Sequence, residues 1–362
     1  MFLQDLDLDR IRERHRAFWQ REIVDRVCIA VTAPTDGPAK ALPQARDDEQ
    51  LLAAPQFAVD WALANLENTY FAGDALATAC APGNLLYPAL GGEGSFGSGT
   101  VWVEPTVHAW PEWDAYRVDP NNVWAQRFLA VNRALAEAAG GRYLVSTQGF
   151  FGATDAMASI RGYQDFIVEL LDEEAAPTIR AAQQRAIAGH EAIIRRAWRD
   201  VAAFQQGTVT VPMIWAPGTV NFWSADFSCL IGPASFETWL VPDFEAMIQL
   251  CDFSFYHLDG PDAVRHLPRV AALPGLHGIQ YTPGPQSTLA LTIDVTRRIQ
   301  QFGKATFLWC DIRDVETILR ELDPRGLFLC THAPDRETAD DLVRKAAQWS
   351  CRKTVSGRQW EG

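Results

Sequence analysis

The chain predicts an α/β fold: a single (β/α)8 barrel with an N-terminal helical extension and a long loop excursion after the second strand. Three observations carry that reading. Apolar runs of strand length alternate with long amphipathic stretches from the first tenth of the chain to the last, the rhythm of βαβ units. Strand candidates number eight over 362 residues, which suits one barrel domain spanning 1–362. No GxGxxG or GxxxxGK[ST] run follows a strand, as an open nucleotide-binding sheet would show.

The elements follow in order. Residues 7–26 form a charged amphipathic helix with Ile11, Phe18, Trp19 and Ile23 near one stripe, suited to packing on the outside or bottom of the barrel. Strands are expected at 27–32, 75–80, 143–148, 208–215, 253–258, 278–281, 305–310 and 326–331. Helices are expected at 50–68, 122–139, 163–203, 234–251, 261–271, 288–302, 315–322 and 336–350. Turn residues crowd 34–43 and 82–120, so both read as loops. The second contains a glycine-rich run at 91–99 that leads into Val101-Trp102-Val103 rather than a helix, which makes it an excursion over the barrel mouth carrying a hairpin.

Composition narrows the function classes. With 48% hydrophobic and 21% charged residues the chain can fill a sizeable core. A formal charge of −13 and the lack of any basic run exclude binding to nucleic acid or to an anionic membrane through the overall field. No apolar stretch approaches the roughly 20 residues of a membrane span. The acidic start Met1-Phe2-Leu3-Gln4-Asp5 is no signal peptide, so a cytoplasmic location is expected. Seven scattered cysteines without a CxxC pair read as reduced thiols.

Candidate chemistry sits at the strand ends. Residues i and i+2 share one face of a strand, so His257 and Asp259 point the same way just before Gly260-Pro261, and Cys330 and His332 repeat the arrangement on the last strand. In parallel α/β folds the C-terminal strand tips build the site. The remaining tips offer Thr32 with Asp36, Gln148, Trp215, Gln280 with Tyr281, and Cys310 with Asp311, while Asp226 follows the fourth strand and its extension. A structural account competes for several of these: Asp259 and Asp311 can cap helices and the cysteines can simply pack. If they face inward, an imidazole and a carboxylate can act as acid and base or ligate a divalent metal such as zinc, with His332 or Cys330 as third ligand. Asp226 joins His257 and Asp259 as a catalytic candidate, and Gln148, Trp215, Gln280, Tyr281 and Cys330 would line a pocket for a small-molecule substrate. Thirteen tryptophans, among them Trp102, Trp110, Trp113 and Trp223, would supply aromatic walls or seal loops.

Several stretches carry a resemblance. They are 154–165 with Arg161-Gly162-Tyr163, Asp226-Phe227-Ser228, Ile231-Gly232-Pro233-Ala234-Ser235-Phe236 with Pro242, Tyr256-His257-Leu258-Asp259-Gly260, and Phe302-Gly303-Lys304. Over 143–348 the chain resembles the uroporphyrinogen decarboxylase superfamily, which holds that decarboxylase and the zinc-dependent methyltransferases that exchange methyl groups with corrinoid proteins. The resemblance implies a barrel and a methyltransferase-like enzyme acting on a small methylated substrate or a corrinoid-bound methyl group, the corrinoid entering only with a partner protein. It also implies that His257 matches a zinc-ligating histidine, that Asp259 stands where the methyltransferases carry a cysteine, and that the third ligand falls at Cys330 or His332. The decarboxylase grips its polycarboxylate with an arginine-bearing run near the first strand, where this chain has Ala33-Pro34-Thr35-Asp36-Gly37-Pro38. Two further readings stay open: a metal-free decarboxylase or other lyase acting on a small carboxylate, with His257 as proton donor, and a non-catalytic partner of a corrinoid protein.

Overall fold

The computed structural model describes residues 1–146, 151–285 and 287–355, with side chains to residue 350. Helix α1 (Leu8–Trp19) opens on Asp7, whose carboxylate accepts the Arg10 amide and satisfies a free helix-end donor. Strand β1 (Cys28–Pro34) follows. The helix expected at 50–68 breaks at Pro55, which starts α2 (Pro55–Glu67) at its first turn, where a missing N–H does no harm. Strands β2 (Thr69–Gly73) and β3 (Thr78–Cys80) then precede a hairpin of β4 (Glu93–Gly97) and β5 (Thr100–Glu104). Ser98 and Gly99, both at positive φ, close the hairpin's two-residue turn. Its Phe96 packs on Trp124 of α3 (Val123–Ala139) with ring centroids 5.1 Å apart.

The central third runs β6 (Leu144–Ser146), α4 (Ala153–Arg161), α5 (Tyr163–Glu169), α6 (Ala176–Ala202), β7 (Thr208–Thr210), β8 (Ile214–Ala216) and β9 (Val220–Ser224). The last third runs α7 (Val241–Gln249), β10 (Phe253–Asp259), β11 (Gly278–Thr282), α8 (Leu289–Gln301), β12 (Thr306–Trp309), α9 (Val315–Glu321), β13 (Leu327–His332) and α10 (Arg336–Val355).

The expected closed eight-stranded sheet is not found among the described residues. The parallel strands fall instead into three sheets ordered β12-β13-β1-β2, β11-β10-β9 and β3-β6-β7-β8. Two elements absent from the sequence reading account for the difference. Strand β2 pairs antiparallel with β1 and occupies its free edge. The run expected as one strand at 208–215 reverses at Pro212-Met213, so β8 returns antiparallel along β7, and β9 takes the place beside β10. Single parallel bridges, Gly278 to Ala305 and Phe151 to Ser224, join the sheets at their margins.

Alternation sorts the strand residues into two packed layers. Ile29, Val31, Leu308, Leu327 and Leu329 pack outward on Ile293 of α8, on α9 and on α10. Inward-facing Phe222, Phe255 and Phe307 meet one another ring to ring, at 5.4 Å for Phe222–Phe307 and for Phe255–Phe307. Helix α1 lies across the N-terminal ends of these strands. Its Phe18 contacts Phe255 and Phe328, its Trp19 contacts Phe253, and its His15 contacts Phe328, so the helix plugs the floor of the interior. Arg14 and Arg26 fasten that end through the fully buried Asp74, which also accepts the Ile29 amide.

Candidate functional site

The register of β9, β10 and β11 assembles the site. Phe255 faces inward, so His257 and Asp259, two and four residues further on, do the same. His257 lies beside Ser224 of β9 and Gln280 of β11, and Asp259 lies beside Thr282. Asp226, two residues past Ser224, opens a 3-10 turn (Asp226–Leu230) at the height of Asp259. The ligand atoms of Asp226, His257 and Asp259 all lie within 4.8 Å of one another. His257 Nε2 stands 3.8 Å from Asp259 Oδ1, and its Nδ1 is hydrogen-bonded to Gln280 Oε1. Gln280 is buried and donates from Nε2 to Thr282 Oγ1 at 2.9 Å. The ring is held edge-on by Phe222 at 5.6 Å.

Negative charge dominates here. Among the described residues no lysine or arginine forms an ion pair with Asp226 or Asp259. Asp226 keeps exposed surface, yet the surrounding walls desolvate its carboxyl group and raise its pKa; the Asp259 charge adds to the rise, while a Ser224 hydrogen bond and His257 oppose it. Behind it, Asp155 of α4 is fully buried, accepting the Phe227 amide at 3.3 Å and the Tyr87 hydroxyl at 3.1 Å. Burial, then the charge of Asp226, push Asp155 up to about 8. A third acid, Asp243 of α7, accepts the Ala153 and Thr154 amides and so caps α4.

The other expected site residues are placed as follows. Gln280 belongs to the cluster through His257, whereas Tyr281 faces the opposite side of β11 and is buried. His332 sits exposed at the tip of β13 with Nδ1 3.3 Å from Thr32 Oγ1, outside the three-residue cluster, because β11 and β12 intervene between its strand and β10. Cys330 is buried one rung lower, its thiol 3.7 Å from the Pro212 carbonyl and pushed well up by burial. Trp215 lies at the other end of the interior: its ring is covered by Arg12 and Arg16 of α1, and its carbonyl accepts from Trp19 Nε1 at 2.9 Å. Gln148 lies outside the described residues. Asp311 caps the short turn after β12 by accepting the Arg313 amide.

Sequence reasoning missed Trp309, Asp155 and Tyr87. Trp309 pairs with inward-facing Cys330, stacks its edge on Phe307 at 4.9 Å and is 51% exposed, so it forms a wall level with Asp259 when rungs are counted from the Gly278–Ala305 bridge. The signal was available, since Phe307 and Trp309 are i and i+2 on an expected strand. Asp155 and Tyr87 come from elements without such spacing.

One nitrogen and two carboxylate oxygens make a donor set that suits a hard or borderline divalent ion, zinc included. For the His257–Asp259 pair, 3.8 Å is too long for a hydrogen bond and close to the roughly 3.3–3.5 Å that two donors keep when each sits about 2.0–2.1 Å from one ion, while the full set lies within 4.8 Å. Without a metal, the same groups place an imidazole between two carboxyl groups, an arrangement suited to proton transfer.

No family model matches the chain, and no curated protein matches it in sequence. Among solved structures the fold is similar to that of a methyltransferase from Methanosarcina mazei, with a TM-score of 0.59 over 93% of this chain and 98% of that one at 14% identity. The chain thus has a mixed α/β, methyltransferase-like fold over nearly its whole length.

Proposed function

We propose that the chain is a methyltransferase-like enzyme of the uroporphyrinogen decarboxylase superfamily, acting on a small methylated substrate or on a methyl group carried by a partner corrinoid protein. The observation that carries this reading is the convergence of Asp226, His257 and Asp259 at the strand tips of a fold similar to a methyltransferase. Those three residues would hold a divalent metal, zinc among those the donors suit, in place of the thiolate ligands of the corrinoid-linked enzymes. When bound, the metal would supply Lewis-acid activation of the group that gives or receives methyl. The chain's own residues would bind and orient: Trp309 as an apolar wall, and Phe222 and Phe307 as a dry floor that excludes water from below.

One observation favours a second reading. Burial raises the pKa of Asp226 beside the imidazole and next to the still more buried Asp155, the direction that proton delivery in a metal-free lyase acting on a small carboxylate would need.

Metal analysis with zinc titration separates the two. The methyltransferase reading expects one zinc per chain, lost in His257→Ala and in Asp226→Ala, and retained in Cys330→Ser and His332→Ala. Absence of zinc binding by the folded wild-type protein would move the assignment to the lyase.

A further inference from the structure

His257 has two ring nitrogens, and only one of them faces the carboxylates. The other, Nδ1, meets the side chain of Gln280 across adjoining rungs of β10 and β11. Gln280 is only 2% exposed and is itself anchored, its amide nitrogen directed to Thr282 Oγ1 at 2.9 Å. The amide oxygen stands against the ring and the amide nitrogen against Thr282. A carbonyl oxygen can only accept, so Nδ1 must carry the proton, and a neutral imidazole protonated there has its lone pair on Nε2. Phe222, edge-on at 5.6 Å and 86°, prevents the ring from turning away.

The choice of an amide is chemically pointed. A carboxylate in this position would also accept from Nδ1, but it would add negative charge beside an imidazole that already faces two carboxyl groups, favouring the imidazolium, which cannot ligate. Gln280 supplies the acceptor without the charge.

We propose that Gln280 is a positioning residue that holds His257 in its Nδ1–H form and aims the Nε2 lone pair at the gap between Asp226 and Asp259, with Thr282 setting the orientation of the amide. This goes beyond a pocket-lining role for Gln280. Only its zinc arm rests on the metal reading above; the tautomer stands apart from it.

Long-range proton–nitrogen NMR of protein labelled with 15N-histidine reports the tautomer directly. Spectra are taken without metal at a pH where imidazole is neutral, and the His257 signals are identified by their loss in His257→Asn. The expected result is an Nδ1–H pattern in the wild type that gives way to an Nε2–H or mixed pattern in Gln280→Leu, with a partial shift in Thr282→Val. An Nε2–H pattern in the wild type, or an Nδ1–H pattern that persists in Gln280→Leu, overturns the proposal. Should Gln280→Leu fail to fold, Thr282→Val, which leaves the glutamine in place, decides the matter by the same two signatures. Zinc titration of the same variants expects affinity weakened by about 10- to 100-fold on loss of the orienting partner. A wild type that binds no zinc yet shows the Nδ1–H pattern sinks the metal reading and leaves the role of Gln280 intact.

Discussion

Asp155 lies fully buried with an amide and a phenol as its hydrogen-bond donors, and its carboxyl group keeps its proton up to about pH 8. In the unfolded chain the same group ionises near 3.9. Between those values the folded state holds a proton that the unfolded state has released, so this residue's contribution to stability falls as pH rises through the window and levels off above it. Asp155→Asn keeps an acceptor for the Phe227 amide and removes the titration. It is therefore expected to lose less stability than the wild type between pH 5 and pH 8, measured as the change in urea midpoint, and equal slopes for the two proteins would contradict the raised pKa. At this scale the sequence was partly readable. His257 and Asp259 could be placed on one face because a strand has a period of two. Asp226 was recognisable as a carboxylate after a strand, but its height beside Asp259 depends on the β9–β10 register. Trp215 was misplaced because a tip residue and the first residues of a returning strand look alike in one dimension.

The N-terminus of α4 is where one element constrains the site. Gly152 has no side chain, and a Cβ there would come within 2.5 Å of the Asp243 carboxylate that caps the helix. Gly152→Ala must push that carboxylate or the helix aside, at an expected cost of about 1–3 kcal/mol in chemical denaturation. Because α4 carries Asp155, the proposed zinc site predicts that the variant also weakens zinc binding more than its stability loss alone explains, whereas zinc affinity equal to wild type would show that α4 and the cluster are uncoupled. Long amphipathic helices such as α3 and α8 were legible to within a residue or two, since their apolar stripes persist for several turns. The 208–224 region was not. Its apolar residues are broken by Pro212 and by Pro217-Gly218 without a sustained period, and the reversal at Pro212-Met213, with its positive φ at Met213, is a local event that the pattern does not mark.

For the molecule as a whole, α1 and the Arg14–Asp74–Arg26 group decide how the interior is closed. Phe18 is 1% exposed and touches rings from β10 and β13 at 6.1 and 5.7 Å. Phe18→Ala should cost about 3–5 kcal/mol, read as a lower urea midpoint with the slope unchanged. Asp74→Ala strands the buried guanidinium of Arg26 without its partner and should cost a similar amount, about 3–5 kcal/mol. The alternation of strand and helix made the α/β class readable from the first residues, and so did the place of the terminal helix. Sheet closure was not readable, because strand order and edge pairing are set by contacts between residues far apart in sequence, such as Ala30 with Gly73 and Cys28 with Phe328.

A floor sealed by the first helix, with phenylalanine rings packed above it, closes the interior from below. The imidazole is approached from the strand-tip end, where Asp226 and Trp309 are exposed beside it. The same helix therefore leaves the strand tips as the end at which the acidic cluster meets solvent, and a change made at the floor reaches the imidazole only through the phenylalanine rings between them.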